Sequence, residues 1–213
     1  MQVGRNLKKT KMKTKKLIQL IVILFITNCY SQNLKVEILL TNGEIKKGEV
    51  SNEINLKKDI KLIENNDKTQ IKLEDIKTLT VINEYGNTVY ESVKCYYRKK
   101  IEKKPKLLRV VLKGYLSLYY HEFVVHIGGN YPGLGGGMQG INNSFVYGIR
   151  EGEEAATMLS DVMQGQVNPN AHFRYHAPKY FSDYPELAKK IEDKEYKYSD
   201  IYQVALEYNN WEK

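Results

Sequence analysis

From Leu34 the chain alternates apolar and polar residues: Leu34, Val36, Ile38 and Leu40 share one side, with Lys35, Glu37 and Leu39 between them. A period of two is the signature of a strand with one buried face, and it commits this chain to building a sheet. Asn42-Gly43 suits the positive backbone angles of a tight hairpin, and Ile45 to Val50 supplies the return strand. The pattern then repeats. Ile60 and Leu62 lead through Asn65-Asn66-Asp67 to Ile71 and Leu73; a short turn at Glu74-Asp75-Ile76 enters Thr78 to Ile82; Tyr85-Gly86-Asn87 starts a hairpin ending near Tyr97. Leu107 to Leu112, Tyr115 to Tyr120 and Phe123 to Ile127 continue it, broken at Gly114. Short strands at this spacing predict an antiparallel sheet or a small barrel.

Near the C-terminus the period changes. Asp183-Tyr184-Pro185-Glu186 offers a capping side chain, an early proline and a reciprocal glutamate ahead of Leu187 and Ile191. Ser199 is placed to cap a second helix, whose stripe is Ile201, Ala205 and Tyr208 beside Val204 and Trp211. Ala171 to Phe181 reads as helical as well, with Pro178 as a kink or a start. The expected fold class is therefore α+β, an antiparallel β-rich domain with short C-terminal helices. The expected divisions are a signal peptide over 1–31, a small barrel-like β region over 32–97, a second β region with a glycine-rich loop over 98–167, and a helical tail packed on the sheet over 168–213.

The first 31 residues follow a different chemistry. Arg5, Lys8, Lys9, Lys11, Lys13, Lys15 and Lys16 precede any acidic residue, the first of which is Glu37. The apolar run Leu17 to Thr27 is shorter than the ~20 residues that span a bilayer, and small residues follow it. Basic, apolar and small in that order is the pattern of a secretory signal. Cleavage after Ser31 would leave Gln32 as the new N-terminus, with Cys29 and Ser31 at the two positions where the peptidase selects small side chains. A second reading takes Ile26 to Cys29 as a lipobox and Cys29 as an acylated anchor, although Asn28 is bulky for that site. Met12 offers an alternative start with a more compact signal.

Removing the signal changes the charge argument. The whole chain carries 33 basic and 25 acidic residues, a net +8. Without the seven basic residues of the signal, 26 face 25 and the remainder is +1. The basic pI therefore gives no reason to expect nucleic-acid binding. One stretch stands apart, Tyr96 to Lys106, a basic run containing Pro105. It reads as a solvated linker or edge strand; the alternative is a patch for an anionic partner such as lipopolysaccharide, anionic lipid or an acidic polymer. Cleavage also removes Cys29 and leaves Cys95 alone, so packing and not an internal disulfide must stabilise the domain.

No motif completes a catalytic or cofactor signature. Gly135, Gly137 and Gly140 match G-x-G-x-x-G, but strand-like Phe145-Val146-Tyr147 follows where the dinucleotide fingerprint needs a helix, so no cofactor is expected. The best metal candidates are His121 and His126 on strand-like segments and His172 and His176 four apart on a helical one. Without the glutamate of H-E-x-x-H they read as surface or internally satisfied histidines, with a metal-dependent hydrolase as the alternative. Glu122, Glu151, Glu153 and Glu154 are acid/base candidates only in the sense that any carboxylate is. Seventeen tyrosines against five phenylalanines mark the one compositional excess. Most belong to packing, and Tyr115, Tyr119, Tyr120 and Tyr131 are the first candidates for a binding face.

The phrase LTNGEIKKGEV followed by IKLEDIKTLTV resembles an SH3-like or Sm-like small barrel, in which a short turn precedes the last strand. The RNA-site motif of Sm-like proteins has no counterpart here. The signal ending in Ser-Gln, the phrase LKGYLSLYYHEF and the tail YFSDYPELAKKIEDKEYKYSDIYQVALEYNN resemble small secreted proteins of the Bacteroidota. That resemblance implies export and no chemistry. The resulting expectation is a non-catalytic binding or structural module of the envelope or exterior, with a protein or glycan partner, no nucleic acid, and no membrane span once the signal is removed.

Overall fold

The computed structural model describes residues 33–51, 54, 56, 58–84, 86–97, 99–127, 139–163 and 168–211, with the backbone alone for 123–127, 139–143, 162 and 163. The segment expected to be a signal peptide, and with it Cys29, Ser31 and Gln32, lies outside these residues, as do Tyr131 and the glycine-rich stretch 128–138.

The described residues form twelve strands: β1 (Leu34–Leu40), β2 (Ile45–Val50), β3 (Ile60–Glu64), β4 (Asp67–Ile71), β5 (Ile76–Asn83), β6 (Gly86–Val93), β7 (Tyr96–Tyr97), β8 (Lys100–Ile101), β9 (Lys106–Leu112), β10 (Leu116–Ile127), β11 (Gln139–Arg150) and β12 (Thr157–Met163). Among the described residues three α-helices follow, α1 (Pro169–Tyr180), α2 (Pro185–Glu192) and α3 (Ile201–Asn210). Ten strands form one sheet in the order β12-β11-β10-β9-β6-β5-β1-β2-β3-β4, and β7 and β8 form a separate two-stranded ribbon. Every pairing between named strands is antiparallel. Among the described residues no helix is long and apolar enough to cross a membrane.

The turns follow their residues. Between β1 and β2 only Gly43 takes a positive φ, +88°, and its N–H donates to the Leu40 carbonyl at 3.0 Å while the Asn42 side chain accepts from Glu44 N–H at 2.9 Å. This is a type I turn closed by a glycine bulge, so Asn42 acts through its side chain and not through a left-handed backbone. Between β3 and β4 both Asn65 (φ 49°) and Asn66 (φ 70°) are left-handed, the two-residue hairpin that matches strand twist. A single 3-10 turn, Leu73–Asp75, precedes β5.

Val36, Ile38, Leu40, Ile60, Leu62, Ile76 and Leu79 are buried in one cluster drawn entirely from strands and their connections. Among the described residues no helix contributes to this cluster, so these strands cover one another and this end of the sheet curls. Each such side chain contributes about 1.5–3 kcal/mol by leaving water. At the other end the helices provide the cover. Leu116, Leu118, Val146 and Leu159 meet Phe173, Phe181, Leu187, Ile191, Ile201, Val204 and Tyr208. The opposite side of the same strands buries a third cluster of Val93, Cys95, Leu108, Tyr119, Tyr147 and Ala156.

Helix starts depart from the sequence expectation. Asn168 caps α1 by accepting from Asn170 N–H at 3.0 Å, Pro169 is its first residue, and Pro178 lies in its last turn. Pro178 does not start this helix; so close to the end it removes one intrahelical bond, which α1 tolerates. Asp183 does not cap α2, whose N-cap is Tyr184 without a side-chain bond. Its carboxylate is drawn away by Arg150 Nη2 at 2.9 Å and Tyr208 Oη at 2.5 Å. Ser199 likewise does not cap α3; it sits in a 3-10 turn, Tyr198–Asp200, and its hydroxyl donates to Asp200 at 3.1 Å. The stripe Ile201, Val204, Ala205 and Tyr208 is buried as its spacing requires.

Asn209 fastens α3 to the sheet. Its Oδ1 accepts from Leu116 N–H at 2.6 Å and its Nδ2 donates to Leu116 C=O at 3.0 Å, joining residues 93 apart. Asn209→Ala leaves both backbone groups short of a partner and is expected to cost about 2 kcal/mol. Urea unfolding reads this directly; an unchanged midpoint would mean that water replaces the amide at no cost.

Candidate functional site

The histidines separate into two environments. His172 and His176 share one side of α1, with ring centroids 6.1 Å apart, and His172 Nδ1 contacts the carboxylate of Asp161, which is buried on the edge strand β12. His121 is buried on β10, opposite Phe145 of β11, which in turn faces Asp161 of β12. The Phe145 position thus stands between His121 and the Asp161–His172 pair. His126 pairs with Gly140 along the backbone. Among the described residues no three His, Cys, Asp or Glu side chains converge to hold a metal ion.

Burial holds the His176 imidazole below its ordinary value, and nearby His172 and Lys179 act in the same direction while Asp161 opposes them. The sign follows from linkage. A histidine depressed in the folded state favours folding fully above about pH 6.5 and loses that contribution as pH falls through the folded value. Thermal unfolding between pH 7.5 and 5 is expected to show a steeper acid loss for the wild type than for His176→Gln. Parallel profiles would remove this role.

The tyrosines do not form one face. Tyr119 and Tyr120 are consecutive in β10 and point to opposite sides of the sheet. Tyr119 is buried and donates to Glu91 at 2.8 Å while accepting from Lys113 Nζ at 3.0 Å. Tyr120 packs under the helices with Arg109 5.2 Å from its ring. Tyr115 stacks on Tyr208 at 6.2 Å. Several of the tyrosines serve helix docking, where Tyr184 lies flat on Trp211 at 4.5 Å and Tyr180 beneath Arg150 at 4.1 Å.

The basic stretch after Cys95 builds the most distinctive surface. Tyr96 pairs with Ile101 and Tyr97 with Lys100, and Lys99 turns the chain at φ 67°. The ribbon's base is fixed: Cys95 bridges Ala156, Tyr96 N–H donates to Ala156 C=O at 2.9 Å, and Glu102 N–H closes back on Cys95 C=O at 2.9 Å. Burial pushes the Cys95 thiol up to about 12. It is expected to resist alkylation in the native protein and to react once unfolded; rapid native labelling would contradict that.

Past the ribbon the charges sort themselves. Glu102 bonds Lys106 Nζ at 2.5 Å, and Lys106 also reaches Tyr147 Oη at 3.5 Å. Burial alone would lower the Lys106 ammonium, but the bond to Glu102 and the nearby Tyr147, Glu102 and Cys95 groups together outweigh it and hold it raised. Lys103 and Lys104 remain exposed, Lys104 with Glu74 3.9 Å away. A groove of about 470 Å³ opens here, lined by Leu56, Leu73, Lys103, Lys104, Lys106 and His121 among others. A second hollow of about 290 Å³ shares Leu73, Lys104 and Pro105 with it and adds Asp59, Lys72 and Glu74. Sequence reasoning marked the lysines but not Leu56, Leu73 or Lys72, which arrive from other strands and loops without local signal. The arrangement offers cations, an amphipathic rim and concavity; its thiol neighbour is sealed. No family model matches the chain, and neither a curated protein nor a solved structure matches it.

Proposed function

We propose that this chain is an exported, non-catalytic binding module of the cell envelope or exterior, with the β7–β8 ribbon and the adjoining groove as its contact surface. What supports binding over catalysis is the concentration of exposed lysines and tyrosines beside a concave groove, while the thiol at the ribbon's base, Cys95, is buried and held protonated. Export rests on the basic, apolar, small-residue order of residues 1–31. Within this reading the first five strands are the small-barrel part that the sequence resembles, serving as scaffold.

Intact mass of the protein recovered from its own cells tests the export half. A chain beginning at Gln32 is the expected result. A chain retaining Met1 or Met12 would sink it, and a lipid on Cys29 would replace the free module with an anchored one.

A further inference from the structure

Beyond residue 31 the positive charge of this chain is gathered in one place. Residues 94–106 contain seven basic residues and one acidic, a net +6, whereas residues 32–213 together are only +1; the rest therefore carries −5. Lys99, Lys100 and Lys103 have no carboxylate within 4.0 Å among the described residues, and Glu102 is spent on Lys106. Among the described residues Lys94 lies 3.9 Å from Glu154, and Lys104 lies 3.9 Å from Glu74 and shares its hollow with Asp59, whose carboxylate also feels it. Tyr97, 60% exposed, and Tyr96, 37% exposed, stand among these lysines.

Building on the proposed binding role, we infer that the ribbon and groove take an acidic polysaccharide, a chain of sugars bearing carboxylates. Lysine presents a point charge that suits single carboxylate contacts, and tyrosine offers an apolar ring with a polar tip to a sugar face. The groove falls within the ~300–1,000 Å³ of ligand sites. An anionic bilayer fits less well, because the exposed ribbon side chains are tyrosines and lysines with no exposed Phe, Leu or Trp to enter the lipid. Single-stranded nucleic acid needs successive aromatic platforms on one side, and the consecutive Tyr96 and Tyr97 of β7 face opposite sides.

The test uses the full chain, as wild type and as the variant Lys99→Gln, Lys100→Gln, Lys103→Gln, Lys104→Gln, so that residues 1–31 are common to both. Titration with polygalacturonate is expected to show saturable binding that weakens with salt and is roughly tenfold weaker in the variant, from four surface contacts of about twofold each. Dextran, a dT oligonucleotide and phosphatidylglycerol vesicles are the comparison probes. Absent polygalacturonate binding, equal binding by the folded variant, or tighter binding of the oligonucleotide or vesicles would each overturn the inference. Tyr97→Ser is the second variant, expected to weaken polygalacturonate binding while leaving the salt dependence in place; unchanged affinity counts against it. A Gln32 start with no polygalacturonate binding defeats this inference alone, and polygalacturonate binding by a chain that keeps Met1 defeats export alone.

Discussion

Replacing Arg150 by methionine is expected to destabilise the protein by about 3 kcal/mol, the cost of losing several charge-assisted hydrogen bonds at once to partners that keep some access to water. Arg150 is only 17% exposed and sits at the end of β11, where it gathers the helical layer. Its Nη1 meets Glu153 at 3.0 Å, its Nη2 meets Asp183 at 2.9 Å and the Tyr180 carbonyl, and its guanidinium lies over the Tyr180 and Tyr208 rings. Tyr180 and Tyr208 donate in turn to Glu153 at 2.7 Å and Asp183 at 2.5 Å. Methionine preserves stem volume but leaves two carboxylates facing each other's neighbourhood without a cation. For a chain of this size the melting temperature should fall by roughly 10 °C. Tyr208→Phe removes one of these bonds and should cost about 1–2 kcal/mol. The double variant should cost less than the sum, because both residues act on Asp183. Strict additivity would mean the network is a set of unrelated contacts.

Gly48→Ala is expected to cost about 3 kcal/mol, an unusual figure for so small a change. A Cβ at Gly48 would stand 2.4 Å from the Ile63 carbonyl oxygen and 3.0 Å from Leu62 Cδ1. The first of these is backbone and cannot swing away, so β2 and β3 must separate, at the upper end of what overpacking costs. They share a single register pair, Glu49 with Ile63, and that contact closes the curl burying Val36, Ile38, Ile60 and Leu62. Chemical denaturation should show a lower midpoint, and hydrogen exchange should rise first in β3 and β4. A midpoint within about 0.5 kcal/mol of wild type would mean the two strands have room to part.

The strands from Leu34 to Ile82 were legible because each apolar alternation ends in residues with a turn preference, Asn42-Gly43 and Asn65-Asn66. β12 was not, for a physical reason: a bulge at Leu159 breaks the alternation, and Ser160 and Asp161 are buried although polar, one near the Pro169 carbonyl and the other held by His172. Caps were misplaced where tertiary partners outbid local ones. Asp183 has the position of a cap, but a guanidinium and a phenol offer it more than one backbone N–H does. Of the candidate surface, the lysines of residues 96–106 were visible as a charge run. Their ribbon form depends on Cys95 meeting Ala156, a contact between residues 61 apart that no local pattern announces.

That contact also decides how the ribbon carries load. The ribbon is inserted between β6 and β9, which are hydrogen-bonded neighbours in the middle of the sheet, and its base is bridged to the segment entering the edge strand β12. Tension applied at Tyr97 and Lys100 therefore divides between the sheet's centre and the strand under α1, and the hairpin behaves as a bracket and not as a tether.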